Sequence, residues 1–417
     1  MMQYSRNVTR GIVYFIIFYI LFCGFAIKNL GAPKSIMFIL DIVALFLFTR
    51  DIFRLKSTGM VVPFSLLIIN FICLIPSILY NQVNPANIVW GIRNQYWALA
   101  LFLGTASYLT YKNIQQVFRY FYYFQILNVL CALYQYFILG LKQDFNNGAF
   151  INGAGQDIFC GMLCAYFFFS YMNKKCKIYE FTFILLSSLF IAAVEEEKFI
   201  FAEIAIVFGY YFFTTKFNWK KIIMSIIAIP AFGLGLMILA EINGQSSVDV
   251  LFNSESRNNY LDNAFELPRI GATPILSHLF FNDDMQHLFG LGIGACEDSS
   301  SLSIIDSTFF NRFGKLNYSY FTFHINFMQT GWIGISLLIL FFVAILGSYI
   351  YERKKSPKQY IYMYDIAIII TLLCISTFWY NATLRSYNTY IPFFGMAIGA
   401  VMTRQLKRIN SLKKRLK

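Results

Sequence analysis

"FTFHINFMQTGWIGISLLILFF", residues 321–342, decides how the chain must be read. Its second half is a continuous apolar run, while His324 and Asn326 stand two positions apart near its start. A polar side chain in hydrocarbon is costly unless it is paired. The stretch therefore reads as the mouth of a membrane-crossing helix that keeps an imidazole and an amide at its entrance.

The rest of the sequence supports that reading. Of 417 residues, 58% are hydrophobic and only 13% are charged, too little charge to clothe a soluble globule of this size. Apolar stretches long enough to cross about 30 Å as helices recur along the chain. They fall near 11–27, 35–49, 60–80, 95–110, 117–140, 158–173, 179–194, 199–215, 222–241, 325–350, 360–380 and 389–403. The runs are continuous and do not alternate, which favours helices over barrel strands. The expected fold is an all-α polytopic membrane protein of about twelve transmembrane helices. Its expected division is helices one to nine over 1–241, a loop over 242–324, helices ten to twelve over 325–403, and a basic tail over 404–417.

Orientation follows from the basic residues, which concentrate in short cytoplasmic loops. With the N-terminus inside, 24 of the 34 Lys and Arg fall on the cytoplasmic side, seven of them between Arg404 and Lys417. Both termini are then cytoplasmic, and the net charge of +13 reflects topology and attraction to an anionic inner leaflet, not nucleic acid. The long loop and His324 face outward. The segment after the first span, "KNLGAPK", does not read as a signal cleavage site. Of eight cysteines only Cys296 is expected outside, so no disulfide framework is implied.

Few basic residues face outward, and each runs against the orientation rule. Arg93 in "VWGIRNQYW" and Lys198 in "VEEEKFIF" stand where the chain enters apolar sequence. Either they converge with Arg269 on an anion, or they snorkel, with Lys198 pairing within Glu195 to Glu197. "GLGIG", residues 290–294, reads as a tight turn between short helices, since no strand precedes it as a nucleotide loop would require. His278 and His287, nine apart around Asp283 and Asp284, lack the three- or four-residue spacing of a helical metal pair and read as surface histidines. Asp41, Glu203 and Asp365 lie in or near apolar spans, where a carboxylate marks an ion path, an interhelical pair or a cavity lining.

The loop and the span after it, "LPRIGATPILSHLFFNDDMQHLFGLGIGAC" and then "FHINFMQTGWIGISLLIL", resemble the O-antigen polymerase and O-antigen ligase superfamily of bacterial envelopes. Arg269 matches an arginine that opens a short helix, Leu288 to Gly294 a glycine-rich turn, His324 and Asn326 a histidine with an asparagine, and Gly331 to Gly334 the entry to the next span. The block covers about 70 residues. The usual adjacent His-Asn is "HIN" here, and Lys198 stands in "EEEKF" where a Ser-Arg-Ser context is usual.

The resemblance implies a glycosyltransferase of the C-type membrane fold in the bacterial cytoplasmic membrane, inverting, with no metal and no cofactor. It implies transfer of a glycan from a polyprenyl-diphosphate donor to a lipid-linked repeat unit on the outer face, with a chain-length regulator and a flippase as partners. His324 and Arg269 would be catalytic, and Arg93, Arg269, Lys198 and Asn326 would hold the lipid diphosphate. Arginine suits a diphosphate because its planar fork offers paired donors, and histidine titrates where a general base must. The ligase that moves a finished glycan onto lipid A core shares this donor chemistry. A lipid-linked oligosaccharide flippase would also fit twelve spans, although no internal repeat is visible.

Overall fold

The protein is described by a computed structural model over residues 2–51, 55–141, 145–215, 272–298 and 305–415, with scattered positions between 219 and 267. Among the described residues the fold is entirely helical, without a strand. The principal helices are α1 (Met2–Leu30), α2 (Phe38–Asp51), α3 (Val61–Tyr80), α4 (Pro85–Tyr96), α5 (Leu99–Tyr108), α6 (Tyr111–Phe137), α7 (Gly153–Met172), α8 (Ile178–Val194) and α9 (Phe199–Thr214). After the loop come α10 (Ala272–Phe280), α11 (Asp284–Phe289), α12 (Thr308–Phe313), α13 (Thr322–Lys355), α14 (Ile361–Tyr380) and α15 (Tyr390–Arg415). The expected ninth span falls mostly on positions outside the described residues, as do 242–266 and Arg269.

Among the described residues four segments are long and apolar enough to cross a membrane, Asn7–Leu30, Val61–Tyr80, Thr322–Lys355 and Lys358–Tyr380, and α5, α8 and α9 are shorter apolar helices. The chain is membrane-embedded, and its helix faces show why. On α3, Phe64, Leu67, Asn70, Leu74 and Ser77 turn inward, while Val62, Ile68, Ile72 and Leu79 stand exposed on the opposite side. A helix that is apolar on its outer face as well as its inner one expects lipid, not water. At the centre lies α7, buried almost all round and packed by α8, α9, α14 and α15.

Two helices depart from the expected spans for identifiable reasons. The stretch expected over 95–110 begins instead at Pro85, where the Asn84 side chain accepts from Ala86 N at 2.9 Å and proline occupies the first turn. It is then broken at Trp97 and Ala98 into α4 and α5. The tenth expected span runs over Thr322–Lys355 but is interrupted at Gly331, whose φ of 61° and ψ of −164° no helix can hold.

The basic loops gather at one end of the bundle. There Arg353 pairs with Asp365 at 2.6 Å, Arg404 donates to the Leu109 carbonyl, and Tyr108 donates to Asp51 at 2.7 Å. At the other end the short helices α10 and α11 pack on α13, and α11 also reaches α3. The short helix α12 follows them in the chain.

Candidate functional site

The glycine-rich turn builds the site. The break at Gly331 frees carbonyls in the preceding helical turn, and the loop takes two of them: Leu291 N donates to Met328 O at 2.7 Å and Gly292 N to Gln329 O at 3.0 Å. Backbone lies against backbone here, so neither side tolerates a Cβ. A Cβ at Gly290 would lie 2.5 Å from Gln329 C and Thr330 N, and one at Gly91 would lie 2.7 Å from Gly294 N. Ser77 anchors the turn by donating to Gly290 O at 2.7 Å. The motif is a splice between α3, α4 and the broken α13, and it delivers the next polar residue, Glu297, into the mouth.

Glu297 is 1% exposed and sits at the centre of a buried network. One carboxylate oxygen accepts from Gln329 Nε2 at 2.9 Å and from the Arg385 guanidinium, and the other accepts from Asn94 Nδ2 at 2.7 Å. Arg385, between α14 and α15 and itself buried, also donates to Asn326 Oδ1. The network continues through Arg93, which donates to Asn94 Oδ1 at 2.7 Å and pairs with Asp41 at 2.9 Å. The Arg93 guanidinium lies 4.2 Å from the centroid of Trp90 and 4.4 Å from that of Tyr387. Two arginines and two carboxylates thus alternate across the mouth, bridged by amides. Beside Glu297, burial pushes the Asp298 carboxyl above its usual range, and the neighbouring negative charge of Glu297 adds to the rise.

Below the network is a cavity of about 30 Å³, bordered by Gln95, Tyr96, Asn326, Phe341 and Leu384. Neither amide atom of Gln95 has a hydrogen-bond partner among the described residues, and such a cavity is roomy enough for a water.

The residues expected at the site separate into three groups. Arg93 and Asn326 come together through Asn94, Glu297 and Arg385. His324 is close in sequence but faces away, because two positions on a helix are roughly 200° apart. It is 1% exposed, with its ring edge-on to Phe321 at 4.7 Å between centroids and to Phe323 at 6.3 Å. Lys198 pairs with Glu196 at 3.0 Å and stays out of the network, the pairing allowed for it above. Arg269 lies outside the described residues. Asp41 and Asp365 are both interhelical ion-pair partners, of Arg93 and Arg353.

Sequence reasoning did not single out Glu297, Arg385, Asn94 or Gln329. Two signals were present: Arg385 is a basic residue away from the basic loops, and Glu297 comes three residues after the glycine turn. No protein-family profile matches the chain, and no curated protein sequence matches it either. Among the described residues no group of His, Cys, Asp and Glu could hold a metal ion.

Proposed function

We propose that the chain is a polysaccharide polymerase of the C-type membrane glycosyltransferase fold, with about twelve spans, both termini cytoplasmic and the mouth facing outward. It transfers a glycan from a polyprenyl diphosphate to a lipid-linked repeat unit. The observation that supports this reading is the convergence of separate sequence elements on one mouth. The glycine turn docks on the broken α13, and two arginines, Asn326 and Glu297 meet beside it at the end away from the basic loops.

In this reading the donor diphosphate takes the place of Glu297 as the partner of Arg385, since both present paired oxygens to a guanidinium fork. Arg93 and Arg269 add charge that stabilises the leaving diphosphate. Asn326 orients Arg385. His324, on the other face of the same helix and packed against Phe321 and Phe323, must turn toward the mouth when substrate binds to accept the proton of the attacking sugar hydroxyl.

The test is turnover of lipid-linked repeat units by the full-length protein in proteoliposomes. Arg385→Lys keeps the charge but not the fork, and loses most of the turnover; a fully active variant removes Arg385 from diphosphate binding. His324→Gln at matched insertion lowers turnover by about 10²- to 10⁴-fold. Products distinguish the remaining readings: a ladder of repeats on the lipid means polymerase, transfer to lipid A core means ligase, and movement across the bilayer with no new glycosidic bond means transporter.

A further inference from the structure

Beside the mouth, α7 carries Gly153, Asp157 and Gly161 at i, i+4 and i+8, a single stripe along one helix face. The two glycines leave room for carboxyl groups from the α8–α9 turn and from α9. The Glu197 carboxyl lies where a Cβ of Gly153 would be, and the Glu203 carboxyl where a Cβ of Gly161 would be. Glu197, Asp157 and Glu203 therefore form a column along α7, each level about 6 Å deeper than the last at 1.5 Å of rise per residue. Glu197 is half-buried at the top, while Asp157 and Glu203 are fully buried.

What this column lacks is all of one kind. Asp157 Oδ1, Glu195 Oε2, both carboxyl oxygens of Glu203 and the Oε1 of the fully buried Gln156 have no hydrogen-bond partner among the described residues. Gln156 is not acidic, and its orientation is fixed because its Nε2 donates to Glu195 Oε1 at 2.8 Å. Five buried acceptors with no donor call for hydrogens or a cation. Glu197 is a close neighbour of Asp157 in this column.

Among the described residues the surrounding groups do not supply the missing charge. Lys28 of α1 lies near Glu195 but donates to Phe145 O at 2.9 Å, and Lys198 is taken by Glu196. The other titratable neighbours are thiols, Cys160 and Cys164 of α7 and Cys374 of α14. A single metal ion does not fit, because its oxygen ligands must converge to about 2.3–2.6 Å and this column is spread over successive helical turns. We propose that Glu197, Asp157 and Glu203 form a proton-binding column, loaded from the outward mouth through Glu197 and ending at Glu203 within the bundle. The site is independent of the glycan-transfer reading.

The experiment is infrared spectroscopy of the full-length protein in lipid nanodiscs, read at the carboxylic-acid C=O stretch. The band is expected at neutral pH and lost in strong alkali, with part of it removed by Glu203→Gln and part by Asp157→Asn. If either variant fails to insert, a hydrophobic carbodiimide, which reacts with protonated carboxyls, locates the sites in the wild type by peptide mass spectrometry, with labelling that falls as pH rises. Sodium chloride against choline chloride at fixed pH separates the two cation sources. Loss of the acid band with sodium alone would replace the proton by a metal cation and overturn the proposal. Absence of any acid band at neutral pH overturns it outright.

Discussion

The mouth network and the α7 column are neighbours, joined by Asn381, and they handle buried charge in opposite ways. Asn381 donates to Asp157 at 3.4 Å while its carbonyl accepts from Thr322 N at 3.0 Å, at the start of the helix that carries Asn326. On one side each carboxylate meets an arginine; on the other, Asp157 and Glu195 accept from the amides of Asn381 and Gln156, and the remaining carboxyl oxygens of Asp157, Glu195 and Glu203 have no donor among the described residues. A buried ion pair is tolerable when every lone pair is answered, whereas unanswered carboxylates must give up their charge. The contrast separates a neutral, fixed frame from a group whose state depends on protons.

The largest effect should expose that difference directly. Arg385→Met leaves Glu297 buried with only amides, and removing one partner of a buried pair costs about 3–5 kcal/mol. Thermal unfolding of the solubilised protein should show it. Glu203→Gln on the other side should change stability by less than about 1 kcal/mol, because a protonated carboxyl and a carboxamide are both neutral and nearly the same shape. If Glu203→Gln instead stabilises the protein by several kcal/mol, Glu203 is ionised in the wild type and the contrast collapses. If Arg385→Met unfolds like the wild type, the pair at the mouth is not structural.

These expectations also mark what was legible in the sequence. Helix type and membrane character were, because both depend on long runs of composition that survive any packing. Asp41 and Asp365 could be read as ion-pair partners because isolated carboxylates in apolar spans have few alternatives. Glu297 and Arg385 could not be paired from sequence, since 88 positions separate them and only the docking of the glycine turn brings them together. The column was hidden for a similar reason. Glycine at 153 and 161 reads as helix packing until the carboxyls that fill the space are known.

The next effect in size concerns that docking. Gly331→Ala must place a side chain at a backbone conformation that is essentially restricted to glycine, and its Cβ would lie 2.5 Å from Gly290 N and Leu288 O. Both are backbone atoms held by the splice, so they cannot move aside cheaply. A cost of about 2–3 kcal/mol follows from the strain alone. The damage should be local: faster proteolysis of 281–298 and loss of the mouth network, with the α7 column keeping its infrared band. Loss of both together would show that the two regions fold as one unit and are not separable sites.

The smallest effect lies outside both regions and sets the exposed limit of the comparison. Tyr80 donates to Asp283 at 2.6 Å, and Asp283 also caps α11 by accepting from Gln286 N at 2.9 Å. The tyrosine hydroxyl, followed by that backbone N–H, holds the Asp283 carboxyl below its usual range. A depressed folded-state pKa contributes stability that is fully present above the unfolded value, near 3.9 for aspartate, and is lost as pH falls through the folded value. Tyr80→Phe removes the larger cause and leaves the cap, so its folded-state value moves back toward the unfolded one and the variant loses less stability, over a narrower window, as pH falls. The wild type should melt above the variant by a constant margin at neutral pH, and that margin should shrink in acid as Asp283 takes up a proton in both proteins. Acid profiles that run parallel throughout would show that solvent screens the contact entirely, leaving burial as the condition for any charge in this protein to matter.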